Sequence, residues 1–109
     1  MILYHYTSEA GYRDILACKR LRPSLRASNP RDARHGDGQY LTDIMPGTKR
    51  PAQLSYIFLR IPYQGRRFTH YVGINTSDLR VVPGRQHVFV ILNHGDLDIS
   101  QRIVTHGRN

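Results

Sequence analysis

Apolar residues along this chain come in short runs separated by turn-forming or charged residues, the spacing of a small mixed domain. Ile2-Leu3-Tyr4-His5-Tyr6 reads as a first strand. Thr7-Ser8 stops it and offers hydroxyls to the free N–H groups of a following helix over residues 9–19. On that helix Tyr12, Ile15 and Leu16 share one face, Glu9 suits the start and Lys19-Arg20 the end. Arg22-Pro23 ends regular structure, because proline disfavours helical geometry at the residue before it. From there to Gly38 the chain is polar, with Pro30, four arginines and two glycines, and a long surface loop is expected.

Gln39 to Ile44 forms the second strand candidate, ended by Pro46-Gly47. Ala52 to Tyr56 reads as a short helix or turn, and the apolar run Ile57 to Ile61 leaves helix and strand both open. Pro62 to Arg67 breaks the pattern. Strands are expected over 68–74, 79–82 and 87–92, with Pro83-Gly84 between the last two. Residues 97–104 form a final edge strand or a turn plus strand. One early helix followed by several short strands predicts an α+β fold with a small, mostly antiparallel or split sheet.

At 109 residues, residues 1–109 make one domain. No apolar run reaches the roughly 18 residues of a membrane span, and Met1 to His5 lack the basic and apolar regions of a signal peptide. No membrane association is therefore expected. Cys18, the single cysteine, excludes an internal disulfide and is expected to be a packing residue of the helix. The six histidines show no helical zinc pair, so no metal is expected. Sixteen Lys+Arg against eight Asp+Glu leave a formal charge of +8, carried mostly by arginine. Guanidinium forks suit phosphates and carboxylates, so the charge fits either a solvated basic surface or a polyanionic partner: a phosphorylated cofactor, nucleic acid or an acidic protein.

Two stretches carry candidate chemistry. In Gly36-Asp37-Gly38-Gln39-Tyr40-Leu41-Thr42-Asp43, glycines let the backbone turn sharply beside a ligand and Tyr40 offers an aromatic face. Tyr4-His5-Tyr6-Thr7 sets a histidine between two tyrosines at the end of the first strand.

Taken together, strand–His5-x-Thr7, a helix, then Gly36-x-Gly38-x-Tyr40-x-x-Asp43 resembles the ADP-ribosyltransferase superfamily in its histidine–tyrosine–acid branch. Pro46-Gly47-Thr48, His70-Tyr71-Val72 and Leu97-Asp98-Ile99-Ser100 extend the likeness over most of the chain, closest to the HYD1-type toxin domains of polymorphic toxin systems. The resemblance implies a split β-sheet sandwich with one early helix and a cleft gripping nicotinamide adenine dinucleotide (NAD). His5 would hydrogen-bond the adenosine-side ribose, the Tyr6 backbone would meet the nicotinamide amide, and Thr7 would support that turn. Tyr40 would stack on the nicotinamide ring, with Gly38 clearing space beside it. Arg22 and Arg34, in the loop, would meet the pyrophosphate. Nicotinamide departure leaves an oxocarbenium-like sugar, which needs a flat clamp and a nearby carboxylate. Many relatives carry a glutamate directly before a run such as His87 to Ile91; here Arg85-Gln86-His87 stands there. Asp98 is the candidate acid, ahead of Asp96, with Gln86 as a partner or substitute.

The expected activity is transfer of ADP-ribose to a macromolecular acceptor, protein or RNA/DNA, with NAD hydrolysis as a variant. The resemblance also implies a delivered effector acting in a target-cell cytoplasm, checked by an acidic immunity protein. Two other classes stay open. A metal-independent RNase would pair His5 with His70 or His87. A basic nucleic-acid-binding module would use Phe68, Tyr71 and Phe89 as stacking faces. Otherwise His70 and His87 read as packing or rim residues, and Arg13 and Arg60 as solvated.

Overall fold

The computed structural model describes residues 1–28, 30, 33–60 and 67–109. The expected break from Pro62 to Arg66, the end of the run at Ile61, and Asn29, Arg31 and Asp32 of the loop lie outside the described residues.

The first strand, β1 (Ile2–Thr7), forms where it is expected. Ser8 then caps helix α1 (Glu9–Cys18) by accepting the Gly11 N–H at 3.1 Å, satisfying one of the donors a helix start leaves open. Lys19 ends α1 in the left-handed conformation, its N–H bonded to the Ile15 carbonyl. Ile15 is buried, but Cys18 is exposed at the last turn, where its thiol reaches the Arg20 carbonyl; the expected packing role is corrected. The chain continues through β2 (Arg20–Leu21) and a loop to β3 (Gly38–Leu41), which stops short of the expected Ile44.

A second helix, α2 (Pro51–Leu59), covers the stretch expected as a short helix or turn over Ala52 to Tyr56 and runs past it, so the fold has a helix beyond the early one. Pro51 stands at its first position, where a missing N–H is harmless, and Gln53 Oε1 accepts the Arg50 N–H at 2.9 Å. The run Ile57-Phe58-Leu59 therefore continues the helix, and Arg60 ends it in the left-handed conformation. Then come β4 (His70–Asn75), β5 (Val82–Pro83), β6 (Phe89–Leu92), β7 (Leu97–Asp98) and β8 (Ile103–Arg108). The strand expected over 79–82 shrinks to β5, because Leu79 closes a turn by donating its N–H to the Thr76 carbonyl.

Among the described residues all strand pairing is antiparallel, in three sheets ordered β1-β4-β8, β2-β7 and β3-β6-β5. The fold is α+β, and the described residues place two helices against these sheets. Strand alternation divides the core: Leu3 enters a cluster with Ile15, Leu21, Val72 and Ile99, whereas Tyr6 enters a second cluster with Leu54, Leu59 and Phe68. Burying each of these aliphatic side chains contributes about 1.5–3 kcal/mol. Strand β1 is the outer strand of its sheet, and its free edge meets the β3 segment through one isolated bridge, Tyr4 to Thr42, with both N–H···O bonds at 2.8 Å. Beyond that bridge the two strands part, and a cavity opens between them.

Candidate active site

The cavity holds about 480 Å³ and is walled by β1 from Tyr4 to Thr7, by Tyr40 to Thr42, by Phe58 and Leu59 at the end of α2, and by four arginines, Arg22, Arg34, Arg67 and Arg85. That size is within the range of small-molecule sites. Among the described lining residues there is no carboxylate.

His5 is half-buried in the β1 wall. Its Nδ1 is 3.0 Å from the Tyr40 carbonyl, an oxygen that only accepts, so Nδ1 carries the proton and Nε2 keeps a lone pair. Burial lowers the His5 pKa below its ordinary 6.5, against the opposing pull of that carbonyl bond, and the ring is neutral near pH 7. The same bond ties the first-strand histidine to the tyrosine strand. Successive residues of a strand present their N–H and C=O to opposite edges. Tyr4 uses the free edge of β1 to meet Thr42, so Tyr6, two residues on, shows its own N–H and C=O to the cavity along that edge. The Tyr6 side chain points elsewhere. Its hydroxyl donates to the Ile44 carbonyl at 2.9 Å inside the second core cluster, and burial pushes its pKa up.

Tyr40 also lies in the wall, with its hydroxyl already used. It donates to the Gly36 carbonyl at 2.8 Å and accepts the His35 N–H at 2.7 Å. Burial raises the Tyr40 pKa, so the hydroxyl stays protonated and the free part of the residue is its ring. Gly36, at φ 114°, permits the loop to fold back onto that hydroxyl. Gly38 is not in the lining. A Cβ there would stand 2.1 Å from the Ile91 carbonyl oxygen, so its bare Cα allows β6 to approach β3. Asp37, between the two glycines, accepts the Arg26 N–H at 2.6 Å and meets His94 at 3.0 Å, anchoring the loop away from the cavity.

Two of the guanidinium groups belong to one wall. Arg34 donates to the Leu59 carbonyl at 2.9 Å, and Arg85 donates to the Phe58 carbonyl. These are last-turn carbonyls of α2, the negative end of its dipole. Burial lowers the Arg85 pKa, followed by the positive charges of Arg60 and Arg34, so excess positive charge is concentrated here. Arg22 lines the cavity from the opposite element while touching Asp14 at 3.3 Å, an exposed pair that contributes little. Thr7 lines it as well, its Oγ1 closely covered by Gly11 of α1.

The structure therefore brings His5, Tyr6, Thr7, Tyr40, Arg22 and Arg34 to one cavity. It does not bring Asp98 there. Asp98 pairs with Arg20 across β2 and β7, and its Oδ1 accepts the Ser100 N–H at 2.9 Å. The Ser100 hydrogen bonds lower its pKa, followed by Arg20 and Arg102, and it lies in a separate depression beside Asp78 and Arg102. Asp96 and Gln86 are exposed on loops outside the lining. Arg67, Arg85 and His35 were missed by sequence reasoning. No local motif marks them, since they converge only when the β5–β6 turn folds over α2 and His35 covers Gly84.

The alternatives fare differently. His70 stacks on Tyr12 at 4.8 Å, outside the cavity that holds His5, so these two histidines do not form a pair. Phe68 is buried, and Tyr71 and Phe89 pack against the core clusters, leaving no open stacking platform among the three. No group of three or more His, Cys, Asp or Glu suited to a metal occurs among the described residues.

A family model described as HYD1 signature containing ADP-ribosyltransferase matches residues 3–103. No curated protein and no solved structure matches the chain significantly.

Proposed function

The chain belongs to the HYD1-signature ADP-ribosyltransferases, and on that premise we propose that its cavity binds NAD, releases nicotinamide and passes ADP-ribose to a macromolecular acceptor. The observation that carries this reading is the convergence of His5, Tyr40, the Tyr6 backbone edge and four arginines in one cavity. A dinucleotide offers complementary groups to all of these. Its pyrophosphate meets the Arg34–Arg85 wall, where bound negative charge relieves the mutual repulsion of the guanidinium groups. The nicotinamide amide takes the Tyr6 N–H and C=O, and its ring lies on Tyr40. The Nε2 lone pair of His5 accepts from the adenosine-side ribose hydroxyl.

Holding the ring flat and the amide fixed orients the C1′–N bond that breaks. As a toxin domain the chain acts in a target cell. An inhibitor that covers the arginine wall with acidic side chains fits it, and such binding weakens steeply with salt.

The test uses NAD labelled in its adenylate half, incubated with the protein in the presence and absence of cell lysate. Label on macromolecules supports transfer, and label released as free ADP-ribose moves the reading to hydrolysis. RNA breakdown without NAD, and no NAD consumption, would overturn it in favour of a nuclease.

A further inference from the structure

The described lining of the cavity offers no carboxylate to the attacking nucleophile, yet one acid–histidine pair directly adjoins that lining along the chain. Asp43 follows the lining residue Thr42, and His87 sits between the lining residues Arg85 and Val88. Continuing the β3–β6 register past Leu41–Phe89 sets Asp43 opposite His87, and their side chains meet with Nδ1 to Oδ1 at 2.8 Å. Both are close to half exposed, at 46% and 44%, so a macromolecule too large for the cavity reaches them.

The backbone of His87 adds a second, independent observation. It has φ 64° in the turn between β5 and β6, closed by Val88 N–H to the Arg85 carbonyl and Gly84 N–H to the Val88 carbonyl. A left-handed residue in such a hairpin turn is ordinarily glycine. Among the described residues the other two non-glycine residues with positive φ, Lys19 and Arg60, end helices and are explained by that. His87 has no such explanation. A side chain there is less relaxed than glycine would be, and it places the imidazole beside Asp43.

We infer that His87 is the general base for the incoming nucleophile and that Asp43 is its positioning residue, an inference that rests on the NAD reading of the adjoining cavity. With Nδ1–H donating to Asp43, His87 Nε2 keeps its lone pair for the acceptor. The acceptor's hydroxyl or amine forms its bond to C1′ of the nicotinamide-side ribose and gives its proton to Nε2. The C1′–N bond breaks, and its electron pair returns to the pyridinium nitrogen, so nicotinamide leaves neutral. Asp43 stabilises the imidazolium until the proton passes to water. The arrangement assigns the base to the acceptor side and leaves His5 to hold NAD.

The experiment compares the protein with His87→Gly, His87→Asn and Asp43→Asn. It follows nicotinamide release from NAD with lysate present, the NAD dissociation constant by calorimetry and the thermal midpoint. Both His87 variants should lose about 100-fold or more in rate, the general-base scale, with NAD affinity within about twofold. His87→Gly should melt no lower than the parent, since glycine relaxes the turn, and added imidazole should restore part of its rate. Asp43→Asn should lose about tenfold, with affinity unchanged. Variant rates within about threefold of the parent, in a parent that cleaves NAD, would overturn the His87 assignment alone. A parent that binds and cleaves no NAD would overturn both it and the NAD reading.

Discussion

Replacing Tyr40 separates the two things a tyrosine offers. Its hydroxyl is occupied at 2.8 Å with the Gly36 carbonyl and at 2.7 Å with the His35 N–H, while the residue itself lines the cavity. Tyr40→Phe removes both bonds. Each contributes about 0.5–1.5 kcal/mol net, so the loss is roughly 1–3 kcal/mol. For a domain of this size that lowers the thermal midpoint by about 4–12 °C. The ring remains, so NAD cleavage measured below the melting range should stay within about threefold of the parent. Tyr40→Ala removes the ring as well. Stacking on a flat base contributes about 1–3 kcal/mol, which predicts a further fall in cleavage of roughly 10- to 100-fold. Scanning calorimetry beside a nicotinamide-release assay reads both effects. A Tyr40→Phe protein as inactive as Tyr40→Ala would refute the reasoning, because the chemistry would then need the hydroxyl.

Further outcomes follow from other residues. Gly38→Ala drives a Cβ to 2.1 Å from the Ile91 carbonyl oxygen, a backbone atom, and should destabilise the protein by about 1–3 kcal/mol or more in denaturant titration; an unchanged midpoint would contradict the close β3–β6 approach. His5 binds a proton less readily folded than unfolded, so below its ordinary 6.5 the unfolded chain takes up more protons and stability falls as pH drops. His5→Gln should therefore show a shallower decline in thermal midpoint between pH 7 and about pH 5 than the parent; an equal slope would place the titration elsewhere. Arg85→Met keeps the stem and removes the charge, and loss of one charged hydrogen bond predicts about tenfold or more weaker NAD binding by calorimetry with a smaller salt dependence. Undiminished affinity would remove Arg85 from the pyrophosphate wall.

Local chemistry made part of this molecule readable in advance. The first strand, the Ser8 cap and α1 follow from residues that are neighbours in sequence, and β4 follows from its alternation. Residues 57–59 were ambiguous because an apolar run suits a buried strand and a buried helix equally; Pro51 and Gln53 at the helix start decide it. Cys18 follows apolar residues at the end of α1, yet the helix turns that last position outward. The site divides in the same way. His5 and Tyr40 lie in motifs of their own, whereas Arg85 reaches the cavity only because β5 and β6 return over α2. Asp98 looked like an acid available to the site, but pairing of β7 with β2 fixes it in another depression. The left-handed turn at His87 has no sequence mark, since it depends on β5 and β6 closing around it.

Cleavage of NAD at the edge between β1 and β3 is tested most directly by the rate of nicotinamide release from NAD by the parent protein beside His5→Ala and Tyr40→Ala variants confirmed folded by circular dichroism. The parent should release nicotinamide, and each variant should lose at least about tenfold in rate. No release by the parent, with or without lysate, or equal release by all three, would contradict it.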